Sequence, residues 1–130
     1  MIEEIKLGEK ILGYIYRDGV KNDTYFITPN ECNQQVGYVV CDAGKRIPRH
    51  YHKERSIPSV INKMTEVLLV LEGEGHVDFY YNSELVCSKP ISNGNVLILM
   101  EGGHGFRATK KLVFFEVKQG PYLDDEKVRF

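Results

Sequence analysis

Two histidines stand two positions apart in the stretch RHYHKE, at His50 and His52. Side chains at positions i and i+2 of a β-strand point to the same face, so a strand over residues 47–53 would project both imidazoles together, with Tyr51 facing away. Two imidazoles on one face can bind one metal ion through nitrogens about 2 Å from it. The alternative for this pair is a solvated position at the edge of a loop.

Two further side chains suited to metal binding occur later in the chain. Glu66 opens the apolar run EVLLVLEG, which ends at Gly73, and His104 closes the run GNVLILMEGGH that begins at Gly94. Carboxylate oxygen and imidazole nitrogen are both common metal ligands. The alternatives are a surface charge at the start of a strand for Glu66 and a turn residue bonded to the backbone for His104.

The order and spacing of these residues resemble the cupin superfamily over residues 36–118. The first cupin motif is G(x)5HxH(x)3–4E(x)6G, and its positions are matched by Gly44, His50, His52, Glu66 and Gly73. The second motif is G(x)5PxG(x)2H(x)3N, and the stretch GNVLILMEGGH corresponds to it. The resemblance implies a double-stranded β-helix, the jelly-roll barrel of that family, with a metal site inside its mouth.

The resemblance also implies the ligands of one divalent metal ion: His50, His52, Glu66 and His104. A set of three imidazoles and one carboxylate suits Fe, Mn, Ni, Zn or Co, and ligand type alone does not choose among them. Four protein ligands leave one or two positions of an octahedral ion open for water, oxygen or a chelating substrate.

The chain departs from the family pattern in both motifs. Between His52 and Glu66 there are 13 residues, so residues 53–65 are expected to form an inserted loop, and Glu54 is a rival for the carboxylate position. Glu66 is preferred because Glu54 lacks the following strand and glycine. The second motif has three departures: Met100 replaces proline, His104 comes one residue early and Ala108 replaces asparagine.

The pattern of the whole chain predicts an all-β fold in one domain over residues 1–130, with N-terminal strands and the C-terminal tail packed on the barrel. Short runs rich in Val, Ile, Tyr, Phe and Leu alternate with Gly, Pro, Asn and Asp. Strands are predicted over 11–16, 23–28, 36–42, 47–53, 66–72, 75–81, 84–88, 95–100, 104–108 and 111–118. Turns are predicted between them, among others at EGEG (72–75), YNSE (81–84) and SNGN (92–95).

Composition narrows the class of protein. The net charge of −1 argues against binding nucleic acid through a broad positively charged surface. No stretch approaches the roughly 18 apolar residues of a membrane span, and a cytoplasmic protein without a membrane partner is expected. The three cysteines are an odd number without CxxC spacing, which predicts free thiols.

The expected ligand is a small molecule. Lys53, Arg55 and Lys63 would stand around the rim of the barrel and favour an anion, such as a sugar phosphate, a nucleotide sugar or a carboxylate; a solvated loop would carry the same charges. The C-terminal run VKQGPYLDDEKVRF is similar to small cupins of surface-polysaccharide and nucleotide-sugar pathways, which implies a role in polysaccharide biosynthesis.

Two functional hypotheses follow, and the sequence assigns no catalytic residue to either. One is a metal-dependent enzyme, an isomerase, epimerase or oxygenase, and the other is a non-catalytic binding or sensor module. A homodimer is expected in both cases, because the sheets should leave an apolar outer face around Leu69, Val77 and Phe79, unless N-terminal strands cover it. His76 is predicted to lie with Asp78 on a face of the sheet that meets solvent or an interface, and it is left out of the site.

Overall fold

A computed structural model describes residues 1–32, 34–53, 66–118 and 128–130 of the chain. In these ranges the protein is all-β, as predicted, and contains no helix that could cross a membrane. Eight strands are formed by the described residues: β1 Ile2–Leu7, β2 Lys10–Tyr16, β3 Tyr25–Phe26, β4 Gly37–Tyr38, β5 Glu66–Tyr81, β6 Glu84–Ser92, β7 Val96–Leu99 and β8 Gly103–Lys118.

The chain divides into two compact units. Met1–Gly19 and Met64–Phe130 belong to the larger unit, and Val20–Lys63 belongs to the smaller one. The smaller unit contains the short antiparallel pair of β3 and β4, in which Tyr25 faces Tyr38. The single domain expected over residues 1–130 stays a prediction.

The larger unit is built on one antiparallel sheet in the order β1-β2-β7-β5-β6, with β8 also paired to β5. The first four residues of β5 pair with β7, and residues from Glu74 onward pair with β6. Strand β8 pairs with β5 along nearly all of its length, from Glu66 to Tyr80. Strand β5 therefore belongs to both halves of the sheet: its first residues pair in the half with β7, and its later residues pair in the half with β6.

This sheet curls back on itself as a half-barrel. The register places Glu66 opposite Lys118 at one end of the β5–β8 pair and His104 opposite Phe79 near the other end. In a flat sheet those ends would lie about 40 Å apart, since each strand residue advances about 3.3 Å. The side chains of Glu66 and His104 nevertheless approach to 3.4 Å, so the two halves of the sheet face each other.

The bend lies where the β5–β8 register shifts three times, between Val70 and Gly75. Such bulges bend the bulged strand while pairing continues on both sides. Gly73 sits within the bend at φ 99°, and a Cβ on it would lie 1.8 Å from the carbonyl oxygen of Lys111. Only glycine fits that position.

The bend corrects two sequence predictions. The EGEG stretch at 72–75 does not separate strands 66–72 and 75–81, because β5 continues through it. The predicted strands 104–108 and 111–118 are likewise one strand, β8. Glycine and glutamate runs resemble turn sequences, but here each residue remains paired across a bulged corner.

Other sequence predictions have mixed outcomes. Residues 47–53 form no strand, so that prediction was wrong, and strand β1 was not predicted at all. The turn at YNSE is confirmed: Asn82 and Ser83 adopt φ 50° and 64° between β5 and β6. The turn at SNGN is also confirmed, with Gly94 at φ 88° before β7.

The hydrophobic core lies between the two halves of the curled sheet. Its buried members come from five strands: Ile5, Leu12, Ile15, Leu68, Val70, Val77, Phe79, Ile91, Leu97 and Leu99. The sequence left two alternatives for Val77 and Phe79, an outer apolar face or packing against the N-terminal strands. Both residues are buried in a core that also contains Ile5, Leu12 and Ile15 of those strands, which fits the second alternative. Val77 and Phe79 point inward because His76 and Asp78 occupy the alternate positions on the opposite face.

A buried carboxylate on that opposite face is held by an arginine. Arg107 donates from Nε and Nη2 to Asp78 at 2.8 and 2.9 Å, and the Ser88 hydroxyl also donates to Asp78. Arg107 is the largest cause that lowers the pKa of Asp78 from 3.8 to about 2. The sequence prediction had placed Asp78 on a solvent or interface face.

Replacing Arg107 with methionine should lower the free energy of unfolding at pH 7, because it removes two charge-assisted hydrogen bonds from the carboxylate of Asp78. The pKa of Asp78 is lower in the folded chain than in the unfolded one. The stability from this pair is therefore complete above about pH 4 and is lost as the pH falls to about 2. Urea unfolding from pH 2.5 to 7 measures both effects.

Lys110→Met is the matched control, because Lys110 pairs with Glu74 at 3.3 Å and both side chains are largely exposed. Its cost should stay below about 0.5 kcal/mol. Equal losses in the two variants at pH 7 would contradict the role assigned to Arg107.

Candidate metal centre

Glu66 and His104 are brought together by the curl of the larger unit. Glu66 is the first residue of β5, and His104 is the second residue of β8. The His104 Nε2 atom lies 3.4 Å from Glu66 Oε2, and their side chains are 25% and 18% exposed. Sequence reasoning selected both residues, and the structure places them in contact.

The carboxylate of this pair is ionised at neutral pH. The hydrogen bond from the His104 imidazole is the main cause that lowers the pKa of Glu66, and burial of the carboxyl opposes it. Lys118, opposite Glu66 across the β5–β8 pair, adds a smaller effect in the same direction. A carboxylate must be deprotonated to bind a metal ion, so Glu66 meets that requirement.

Apolar side chains lie next to the pair on the same face of the sheet. Leu68 and Val70 follow Glu66 at alternate positions of β5 and are buried in the core, as the period of two predicted. The ring of Phe106 lies 5.9 Å from the His104 ring and 4.8 Å from Phe114. A polar pair against such neighbours has few competing water molecules, which strengthens its electrostatic interactions.

The backbone before His104 requires glycine. Gly102 adopts φ 90°, and a Cβ at this position would lie 2.4 Å from the carbonyl oxygen of Tyr80. This conformation leads the chain into β8, whose second residue is His104. The absent proline at Met100 does not prevent the chain from entering β8 here.

His50 and His52 belong to the smaller unit and are exposed. Their rings are edge to face with centroids 5.1 Å apart, although the strand that was expected to align them is absent. The Nδ1 atom of His50 donates to the carbonyl oxygen of Pro48 at 2.9 Å. Tyr51 is exposed, as predicted for a residue outside the site.

The residues present have the chemistry that a metal site needs. Two donors about 2 Å from one ion at a tetrahedral angle lie about 3.3 Å apart, and Glu66 and His104 are separated by nearly that distance. Metal-binding histidines commonly donate their second ring N–H to a carbonyl oxygen, which fixes the tautomer. The bond from His50 Nδ1 to Pro48 has this arrangement, and Nε2 of His50 would be the atom that binds a metal ion.

The structure describes these donors as two pairs. Within residues 1–32, 34–53, 66–118 and 128–130, no three His, Cys, Asp or Glu side chains form a group that could hold a metal ion. Of the predicted rim cations Lys53 is exposed, whereas Arg55, Lys63 and the rival ligand Glu54 lie outside the described residues.

Sequence reasoning missed one neighbour of the pair. Glu116 contributes through its side chain to the lowered pKa of Glu66. Glu116 pairs with Leu68 in the β5–β8 register, so it shares the inward face with Phe114. Its alternation with Phe115 in the run KLVFFEVK was the only signal for this position.

Comparison with known proteins adds no relative: no family model, curated protein or solved structure matches the chain.

Proposed function

We propose that this protein is a small cupin-type jelly-roll metalloprotein that binds one divalent metal ion through His50, His52, Glu66 and His104. The observation that supports it most is the contact of Glu66 with His104 across the curled sheet. Both residues were selected from motif spacing alone, and their register positions would keep them far apart in a flat sheet. The bulged glycine corner and the inward-facing Leu68 and Val70 also fit a barrel with its site in the mouth.

The proposed activity is on a small molecule, such as a sugar or nucleotide sugar, in polysaccharide biosynthesis in the cytoplasm. The ion would supply a Lewis acid for a carbonyl or hydroxyl pair, or a site for oxygen activation. Each residue would have its own role. Glu66 and His104 would bind the ion and fix its position, and Phe106 and Phe114 would limit the access of water. Lys53, Arg55 and Lys63 would attract an anionic group.

Metal analysis of the purified chain, after loading with each of Fe, Mn, Ni, Zn and Co and removal of excess metal, tests the ligand set. One tightly bound equivalent per chain is expected for at least one of these metals. Two equivalents would mean that the histidine pair and the Glu66–His104 pair bind separate ions, and none would reject the metal proposal.

A thermal-shift screen of the metal-loaded protein against nucleotide sugars and small organic acids tests the substrate class, since any tight ligand raises the midpoint. Product analysis by NMR then separates an enzyme from a binding module. An enzyme converts the stabilising ligand to an isomer or an oxidised product. The non-catalytic alternative predicts stabilisation without any product.

We also propose that the protein is a homodimer, for a reason that differs from the one expected at first. Val77 and Phe79 are buried, but Leu71, Phe115 and Val117 on β5 and β8 are about half exposed or more. The carboxyl-terminal half of β8 pairs only with β5 among the described residues. An apolar strand edge of this kind suits a second copy related by two-fold symmetry.

Phe115→Glu is expected to convert a dimer of about twice 14.9 kDa into a monomer, because it places a charge in the apolar contact. Size-exclusion chromatography with light scattering measures the mass. Lys111→Glu, an exposed change on the same strand, is the control and should leave the dimer intact. A wild-type chain that is monomeric at micromolar concentration would contradict the proposal.

A further inference from the structure

The strand that presents His104 begins in a stretch with almost no side chains of its own. Gly102, Gly103 and Gly105 flank the histidine in the run EGGHGF. Glycine loses more conformational entropy than other residues when a strand forms, and it has no side chain to pack. Among the described residues β8 pairs with β5 alone, so the backbone around His104 is held along one edge. The position of His104 therefore depends on contacts that this run does not supply itself.

The ring of Phe130 covers Gly103, the first residue of β8. It lies 5.2 Å from the ring of Tyr80, edge to face at 83°. A Cβ on Gly103 would come within 2.9 Å of the Cζ atom of Phe130, so the edge of the ring rests on the glycine backbone. Tyr80 is also the cross-strand partner of Gly103 in the β5–β8 register. Aromatic side chains placed against a strand glycine in this way stabilise its pairing.

The Phe130 ring and the candidate metal centre lie on opposite faces of β8. Gly103 pairs with Tyr80, whereas His104 pairs with Phe79, which is buried in the core. Successive residues of a strand point to opposite faces, so the ring over Gly103 lies outside and His104 points inward. Phe130 therefore acts on His104 only through the backbone of Gly103.

We propose that Phe130 is a positioning residue for His104. Its ring limits the movement of the Gly103 backbone and so keeps the imidazole beside Glu66, where both could bind one ion. The consequence for metal binding rests on the proposed function, whereas the effect on the start of β8 does not. The ring also gives a reason for glycine at position 103, because a Cβ there would displace it.

Phe130→Ala tests this role in the full chain, with and without metal. Hydrogen exchange of the peptide that contains residues 102–107 should become about fivefold faster in the metal-free chain, as expected for the loss of one partly exposed aromatic contact. The affinity for the preferred metal, measured by isothermal titration calorimetry, should fall by about the same factor, because binding then has to order His104. Val128→Ala changes an exposed side chain two positions away and should alter neither quantity.

Two glycine variants show whether the ring acts through Gly103. In a Gly103→Ala background the added Cβ displaces the ring, so Phe130→Ala should cause no further change in exchange or affinity. In a Gly105→Ala background Phe130→Ala should keep its full fivefold effect. The Cβ added at Gly105 would meet only Tyr80, at 3.9 Å, which is an ordinary contact.

Three results would overturn the assignment: unchanged exchange in Phe130→Ala, an equal effect of Phe130→Ala in both glycine backgrounds, or a lower urea midpoint with unchanged metal affinity. The last result would mean that Phe130 only stabilises the fold. A wild-type chain that binds no metal would reject the metal proposal, and hydrogen exchange in the two glycine backgrounds would then decide by itself whether Phe130 positions His104.

Discussion

His104→Ala should weaken binding of the preferred divalent metal by about 100-fold or more. Loss of a residue that only supports a metal ligand typically costs 10- to 100-fold, and His104 is proposed as a ligand itself. The side chain is partly exposed and outside the buried core cluster, so the variant should remain folded. Isothermal titration calorimetry measures the affinity, and circular dichroism checks the fold.

His76→Ala is the matched control, because His76 is a histidine on the outer face of the same sheet. It should bind metal like the wild type. Glu66→Gln should resemble His104→Ala, since a neutral amide replaces the carboxylate at nearly unchanged volume. Wild-type affinity in His104→Ala would remove this residue from the ligand set and leave the cupin-type assignment without its main support.

Gly73→Ala should lower the free energy of unfolding by about 4 kcal/mol, enough to unfold much of the protein. Two costs combine: a φ of 99° that L-residues rarely adopt, and a Cβ that would lie 1.8 Å from the Lys111 carbonyl oxygen. The backbone of the β5–β8 corner must shift to relieve that overlap. Urea unfolding followed by circular dichroism measures the loss.

Gly8→Ala separates the two costs. Gly8 also has a positive φ, 60°, but an added Cβ would meet no atom within 4 Å. Its expected cost is about 1 kcal/mol, from the backbone conformation alone. If both substitutions lower the free energy of unfolding equally, the close approach of β8 to Gly73 is not the reason that the corner requires glycine.

The all-β class followed from the sequence, but the path of the strands did not. Runs rich in Val, Ile, Leu and Tyr located β2 and β7 to within one residue at each end, whereas β6, predicted over 84–88, continues to Ser92. Such runs could not show that EGEG is a bulged corner, since glycines with positive φ serve in turns and in bends alike. Strand β1 has a mixed pattern, and only its pairing with β2 makes it a strand.

Part of the candidate site was predicted from the sequence and part was not, because strand pairing again decided the outcome. Motif spacing selected Glu66 and His104, and the inward neighbours Leu68 and Phe106 followed from the period of two. The strand expected around His50 is absent, because RIPRHYHK is rich in charge and contains a proline, and neither favours a paired strand. Cross-strand neighbours such as Glu116 depend on register, which a single sequence does not state.

Anomalous diffraction from crystals of the metal-loaded protein is the most direct test of the central claim. One peak is predicted, with the ring nitrogens of His50, His52 and His104 and a carboxylate oxygen of Glu66 about 2.0–2.2 Å from it. A peak bound by only one of the two pairs, or by other residues, would contradict the four-ligand centre.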